Sequence, residues 1–235
     1  PLPTPTIPQL SAVTGSAYCA MRVASAALRV PATCCSAQPT PAARAETILS
    51  IAYREGAPRL QLQADTKSAD HWLERAATRG YWPAEVALAT RITDAQDVSN
   101  EDLARSRDLM LAAAARGDAG VQFAVALMYE NGEGAFDTSP ALARQWYERA
   151  AVQGYARAQM RLGTHLANGT GGPGDASQAY FWWLLAAPHD AEARAFAERI
   201  RPTLDLAQVA DAEQRAQGWQ PRRERSPGEG CMALP

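Results

Sequence analysis

No stretch of this chain approaches the roughly 20 consecutive apolar residues that a membrane-spanning helix requires, so no span is expected. Aromatic residues are scarce, at 7% of 235, which argues against a β-sandwich built on alternating aromatic and β-branched side chains. Neither sign of charge dominates. Lys plus Arg number 23 and Asp plus Glu 25, a net charge of −2 that gives no concentrated basic surface for nucleic acid. The one local basic run, Arg222, Arg223 and Arg225, is interrupted by Glu224 in a Pro- and Gly-containing tail and reads as solvated.

Signatures of catalysis are missing too. The chain holds no G-x-S-x-G, and no Ser, His and Asp are related by a familiar spacing. The histidines His71, His165 and His189 lack an H-E-x-x-H neighbourhood. Gly169-Thr-Gly-Gly-Pro-Gly174 formally fits G-x-G-x-x-G, but that string works only between a strand and a helix. Here it follows a helical pattern and reads as a turn. The expectation is a protein with no enzymatic activity, no cofactor and no metal.

Cysteine is sparse: Cys19, Cys34, Cys35 and Cys231. They form no C-x-x-C and have no adjacent His, which speaks against zinc. Adjacent Cys34 and Cys35 resist bridging each other. The economical scheme pairs Cys19 with one of them and Cys231 with the other, and two disulfides would suit a periplasmic or secreted protein. The alternative is four free thiols in the cytoplasm. The first residue is Pro1 rather than Met, from which we expect a preceding segment, such as an export signal, to have been removed.

What the chain has in quantity is alanine, inside a 47% hydrophobic composition. Alanine favours helices because it loses no side-chain entropy there. It also recurs in register. Arg75-Ala-Ala-Thr-Arg-Gly80, Ala112-Ala-Ala-Ala-Arg-Gly117 and Arg149-Ala-Ala-Val-Gln-Gly154 end on glycines a constant 37 residues apart. A second anchor, Ala45-Glu46, Ala84-Glu85, Val121-Gln122 and Ala158-Gln159, repeats at steps of 39, 37 and 37. Two independent anchors in one register mark an internal repeat.

Each unit reads as helix, turn, helix. Val121, Val125 and Tyr129 form one stripe of a first helix, matched by Ala158, Leu162 and Leu166 one unit later. Both stripes meet an Asn-Gly-x-Gly turn, at 131–134 and 168–171, where glycine supplies positive φ. Ser139 and Pro140 suit the cap and first position of a second helix. Bulky pairs at Trp72/Leu73, Leu109/Met110, Trp146/Tyr147 and Trp182/Trp183 precede or flank the Ala-Ala pairs and fill space between hairpins.

Ala-Gln-x-x-Leu-Gly followed by Gly-x-Gly, and then Ala-x-x-Trp-Tyr-x-x-Ala-Ala-x-x-Gly, resembles the Sel1-like repeat, a relative of the tetratricopeptide repeat. Val121–Gly154 and Ala158–Ala187 carry the likeness best. The first two units depart from it, with a long loop at 57–68 and no Gly-x-Gly after Thr93. The resemblance implies an all-α fold, a right-handed superhelical solenoid of helix-turn-helix repeats with extra terminal helices. We divide the chain into a Pro-rich arm (1–44) with a short Cys-containing helix at Ser16–Val30 and four repeats (45–83, 84–120, 121–157 and 158–187). Capping helices (188–221) and a tail (222–235) follow. Asp190–Arg201 and Leu206–Gln217 read as the two caps that cover the last apolar face, and we expect the arm to pack against the solenoid.

The resemblance implies an adaptor that binds another protein or peptide segment, with the first helices lining the concave surface. Repeat register then nominates Val86, Ala87, Arg91, Phe123, Ala124, Met128, Met160, Arg161 and His165 as contact positions. Phe123, Met128 and Met160 are expected as apolar anchors, Arg91 and Arg161 as partners for carboxylates or carbonyls, and His165 as an exposed side chain. Within the family, envelope scaffolds, structural subunits of motors or export machines, and immunity proteins against secreted effectors are all represented. Relatives linked with β-lactam hydrolysis carry a cysteine pair in each repeat, which this chain lacks, so a hydrolase of cell-wall or antibiotic substrates stands as the less favoured alternative.

Overall fold

A computed structural model describes residues 41–58 and 62–222. The Ser16–Val30 helix, the packing of the arm and all four cysteines fall outside the described residues. Ten α-helices and one 3-10 turn make up the described chain, with an isolated bridge between Ala57 and Leu62 as its only β-type pairing. Two compact units divide between Ala84 and Glu85.

The first unit is a helical pair, α1 (Pro41–Glu55) and α2 (Thr66–Thr78). Its core is small-residue packing, with Ala43 of α1 meeting the burial of Ala69, Leu73, Ala76 and Ala77 on α2. Small side chains let the helices approach closely, and Leu73 fills what remains. Of the connection's described residues, Ala57 and Leu62 pair in an isolated bridge, and the Asp65 amide donates to Tyr53 O at 2.7 Å while its side chain caps α2. Buried Glu46 is held by two ion pairs, Arg75 Nη2 at 3.0 Å and Arg79 Nε at 3.1 Å.

α3 (Trp82–Thr93) begins at the end of the first unit and runs into the second. There it is followed by α4 (Asn100–Ala115), α5 (Ala119–Asn131), α6 (Pro140–Val152), α7 (Ala156–Asn168), α8 (Ala176–Ala186), α9 (Ala191–Ile200) and α10 (Leu206–Gln217). The second helix of each repeat starts on a side-chain cap: Asp65, Ser99, Ser139 and Asp175 each accept a backbone amide of the first turn. Such a cap contributes about 1 kcal/mol. The first helices α5 and α7 end on Gly132 and Gly169, both left-handed.

Within each bulky pair the second residue goes inside. Leu73, Met110, Tyr147 and Trp183 are buried, while Trp72, Leu109 and Trp146 are half-buried. α8 is charge-free and buries Tyr180, Phe181, Trp182 and Trp183, because α7, α9 and α10 all pack on it. Gly163 of α7 is required by this arrangement, since a Cβ there would stand 2.6 Å from Trp183 Nε1. The indole instead donates to the Met160 carbonyl at 3.2 Å. Successive repeats are tied by one recurring bond. Arg107 Nη1 donates to Ala135 O at 3.4 Å and, 37 residues on, Arg144 Nη1 donates to Pro173 O at 2.9 Å. After α10 the chain returns to the α6–α7 turn, where Arg222 N donates to Val152 O at 2.8 Å and Pro221 rests on Gly154.

Candidate functional site

The nine nominated positions fall on α3, α5 and α7, and all lie in the second unit. Seven of them, Val86, Ala87, Arg91, Ala124, Met128, Met160 and Arg161, are half-exposed. Two are not surface groups, which corrects the expectation drawn from register.

Phe123 is only 5% exposed. Its ring packs on Tyr147 and Tyr155, with centroids 5.6 and 5.1 Å away, and the Arg157 guanidinium lies over it at 5.1 Å. It is a core residue, and an accessible anchor cannot be made of it without unpacking two helices. His165 is 3% exposed, because Tyr147 stands edge-on to its ring at 5.3 Å and Leu162 and Leu166 are buried beside it on α7. Nothing in the register distinguishes it from half-exposed Arg91 and Met128; the aromatic from α6 does so.

Glu130, which no repeat signal singles out, gathers these helices into a polar cluster. Tyr147 OH donates to its Oε2. Its Oε1 lies 3.4 Å from His165 Nε2 and 3.6 Å from Arg161 Nη1. Burial first, and then the bond to Glu130 and the carboxylate charge, push the Tyr147 phenol well above its ordinary range, against a smaller opposing pull from Arg161. The phenol therefore stays a donor throughout the neutral range. Side-chain exposure runs outward, from His165 at 3% through Glu130 at 26% to Arg161 at 43%. The result is a guanidinium held at the surface by a carboxylate that is itself fixed from behind.

Such a cluster can orient and recognise. Among the described residues no group of three or more His, Cys, Asp or Glu side chains is placed to hold a metal ion. Arg157, one turn before Arg161, was not among the nominated positions. Its signal is the i, i+4 pair of arginines on a helix that carries no acidic residue.

Comparison with known proteins agrees with this architecture. The Sel1 repeat family model matches residues 43–81, 119–155 and 156–187. Chitin synthase regulatory factor 3 of Schizosaccharomyces pombe is 32% identical over 121 residues, covering 51% of this chain and 13% of that protein. Among solved structures, a protective antigen of uropathogenic Escherichia coli with the same repeat fold superposes with a TM-score of 0.58 at 24% identity. That superposition covers 75% of this chain and 37% of the antigen's. A Sel1 repeat protein from Oxalobacter formigenes gives 0.52 at 24% identity, over 63% of this chain and 59% of its own. The two structures establish the fold, and the chain spans less than two thirds of each of these relatives. The chain carries Sel1 repeats and folds as a Sel1-like repeat protein, an all-helical array of helix-turn-helix units.

Proposed function

We propose that this protein is an adaptor of the bacterial cell envelope that binds a partner protein across the first helices of its repeats, on α3, α5 and α7. Proteins built of Sel1 repeats are in general protein-interaction scaffolds and typically non-catalytic. The observation that carries the reading here is what those helices leave accessible: Met128 on α5 and Met160 on α7 half-exposed, Arg161 positioned by Glu130, and small half-exposed Ala124 on α5 and Ala87 on α3. Methionine adapts its shape to an apolar partner, and small neighbours let a chain approach closely. The yeast relative is named as a regulatory factor of a synthase, a description in keeping with acting through another protein. The envelope setting rests on the four cysteines of the sequence.

The test is affinity capture of the tagged full chain from its native cells under non-reducing conditions. Wild type is run beside Met128→Asp/Met160→Asp and a control, Glu148→Lys, on the exposed side of α6. A stoichiometric companion held by wild type and by the control, and reduced more than tenfold on the methionine variant, is expected. Equal retention on all three would place the interaction elsewhere. Recovery of the tagged protein from the cytoplasmic fraction with four free thiols would remove the envelope assignment alone.

A further inference from the structure

We infer that the partner segment seated on α5 and α7 is acidic, presenting two carboxylates to Arg157 and Arg161 beside an apolar side chain for Met128 and Met160. This rests on the protein-binding reading above and names the chemistry of what is bound.

The argument begins with where charge lies. The whole chain is net negative, at −2, yet α7 carries Arg157 and Arg161 and no acidic residue. α5 contributes a single charge, Glu130. The two helices together are therefore net positive in an otherwise acidic molecule. The other helices mix the two signs: α4 sets three acids against Arg105 and Arg107, α6 sets Glu148 against Arg144 and Arg149, and α9 and α10 set four acids against Arg194, Arg199 and Arg215, while Asp118 caps the start of α5. A basic strip within an acidic protein attracts an anionic segment and repels a basic one.

Both arginines are also positioned, each by a residue of α5 two turns from the other. Arg157 lies across the Phe123 ring at 5.1 Å, and Arg161 is held to Glu130 at 3.6 Å. Glu130 cannot follow an incoming cation, because Tyr147 fixes one of its oxygens and His165 flanks the other. Its exposure, at 26%, is also below the 43% of Arg161, so the group offered outward is the guanidinium. A planar guanidinium already ordered by one carboxylate keeps further N–H donors for a second, and less side-chain entropy is lost when it binds.

Spacing completes the description. Residues four apart on a helix are separated by about 6 Å along its axis. Carboxylates match that distance when two residues apart in an extended segment, which rises about 3.3 Å per residue, or four apart on a helix. Half-exposed Met128 and Met160 would take the intervening or flanking apolar side chain.

The test uses random dodecapeptides displayed on phage and selected on the full chain. Wild type should enrich sequences with two Asp or Glu residues at one of those spacings next to a Leu, Met, Ile or Phe. A synthetic peptide of that class should bind Arg157→Glu/Arg161→Glu at least tenfold more weakly, and its acid-to-Lys counterpart should regain binding to that variant. Should charge reversal beside Glu130 unfold the protein, Arg157→Gln/Arg161→Gln serves instead, and the same tenfold loss is expected. Raising salt from about 50 to about 300 mM should weaken the wild-type complex several-fold, as screening of exposed charges requires. Enrichment of neutral or basic peptides, or equal binding by wild type and both variants, overturns the inference and leaves the protein-binding reading standing. Failure of wild type to enrich any peptide overturns both.

Discussion

Glu46, Glu85, Gln122 and Gln159 occupy one position in successive repeats, and the molecule satisfies that buried position in two ways. In the first unit, Glu46 pairs with Arg75 and Arg79. At the start of the second unit, Glu85 takes two bonds from Arg116, Nη2 to Oε1 at 3.2 Å and Nε to Oε2 at 3.3 Å. Further on the charge disappears. Gln153 Nε2 donates to Gln122 Oε1 at 2.8 Å, and Gln122 Nε2 donates to Ala114 O at 3.2 Å. Gln159 repeats the carbonyl bond with Ala151 O at 3.1 Å. Arg79, Arg116 and Gln153 each stand one residue before a turn glycine, so the partner changes in step with the residue it serves. The position corresponding to Gln153 in the last repeat is Asp190, which caps α9 instead, with Glu192 N and Ala193 N donating to it. The comparison teaches that the repeat needs a link from the start of its first helix to the end of its second. Charge is tolerated there only where both ends carry it.

The sharpest way to break that rule is to move the wrong chemistry into the neutral site. Gln122 is fully buried and faces the Ala114 carbonyl, so Gln122→Glu sets a buried carboxylate against an acceptor. About 3 kcal/mol of stability should be lost at neutral pH, by denaturant unfolding. Burial raises the pKa of such a carboxyl, so the deficit should shrink as the pH falls and the group becomes neutral. Gln122→Glu/Gln153→Arg should recover most of the loss. If the pair is no better than the single change, the equivalence of the two solutions fails.

Removing the cation from the charged site should cost less. Arg116→Ala strands Glu85, whose side chain is 5% exposed, but Arg116 itself is 32% exposed and solvent can reach the gap. About 2 kcal/mol is expected, against about 1 for Gln153→Ala, where the link lost is a neutral one. Equal values would mean that charge adds nothing to the link.

Much of this architecture was legible because it repeats. Turn glycines at 80, 117 and 154 all have positive φ, the three Ala-Ala pairs that precede them are buried, and Ser139 caps α6 above Pro140 as its sequence suggests. The site was legible only as far as register reaches. Register identifies a helix face, and seven of nine nominated positions are half-exposed on it. It is silent about which non-local aromatic covers a given position, and that decided the burial of Phe123 and His165. It is silent again about Glu130, whose counterparts 37 residues away are Thr93 and Ala167. A residue that acts once, through side chains from three helices, leaves no periodic trace.

Glu130 extends the same comparison, since it is a carboxylate whose closest protein donor is a phenol rather than an arginine. Tyr147→Phe removes that donor and should cost about 1 kcal/mol at pH 7. The sign of its pH dependence follows from the raised phenol. The folded pKa lies above the ordinary value of 10.0, so the stabilisation is complete below that pH. It is lost as the pH climbs beyond it, because the unfolded chain ionises first. Wild type should thus lose stability above pH 10 more steeply than the variant, by up to about 1.4 kcal/mol per pH unit, and the two should converge. Parallel alkaline limbs would show that the phenol is not held by this cluster.

The smallest effect is the most telling for the rule. Glu85→Gln/Arg116→Gln rewrites the charged link in the form that Gln122 and Gln153 already use one repeat later. The change removes a strong pair and, with it, the cost of burying Glu85 away from water. For buried pairs these two terms nearly cancel, so stability should move by less than about 1 kcal/mol in either direction. The single Glu85→Gln should be worse than the double, since it leaves Arg116 with an amide that cannot neutralise it. Salt dependence separates the forms: the wild-type link weakens slightly in high salt because Arg116 is partly exposed, and the amide link does not. A double variant destabilised by as much as Arg116→Ala would show that the early repeats need the ion pair itself, and that the two regions are not interchangeable solutions to one packing requirement.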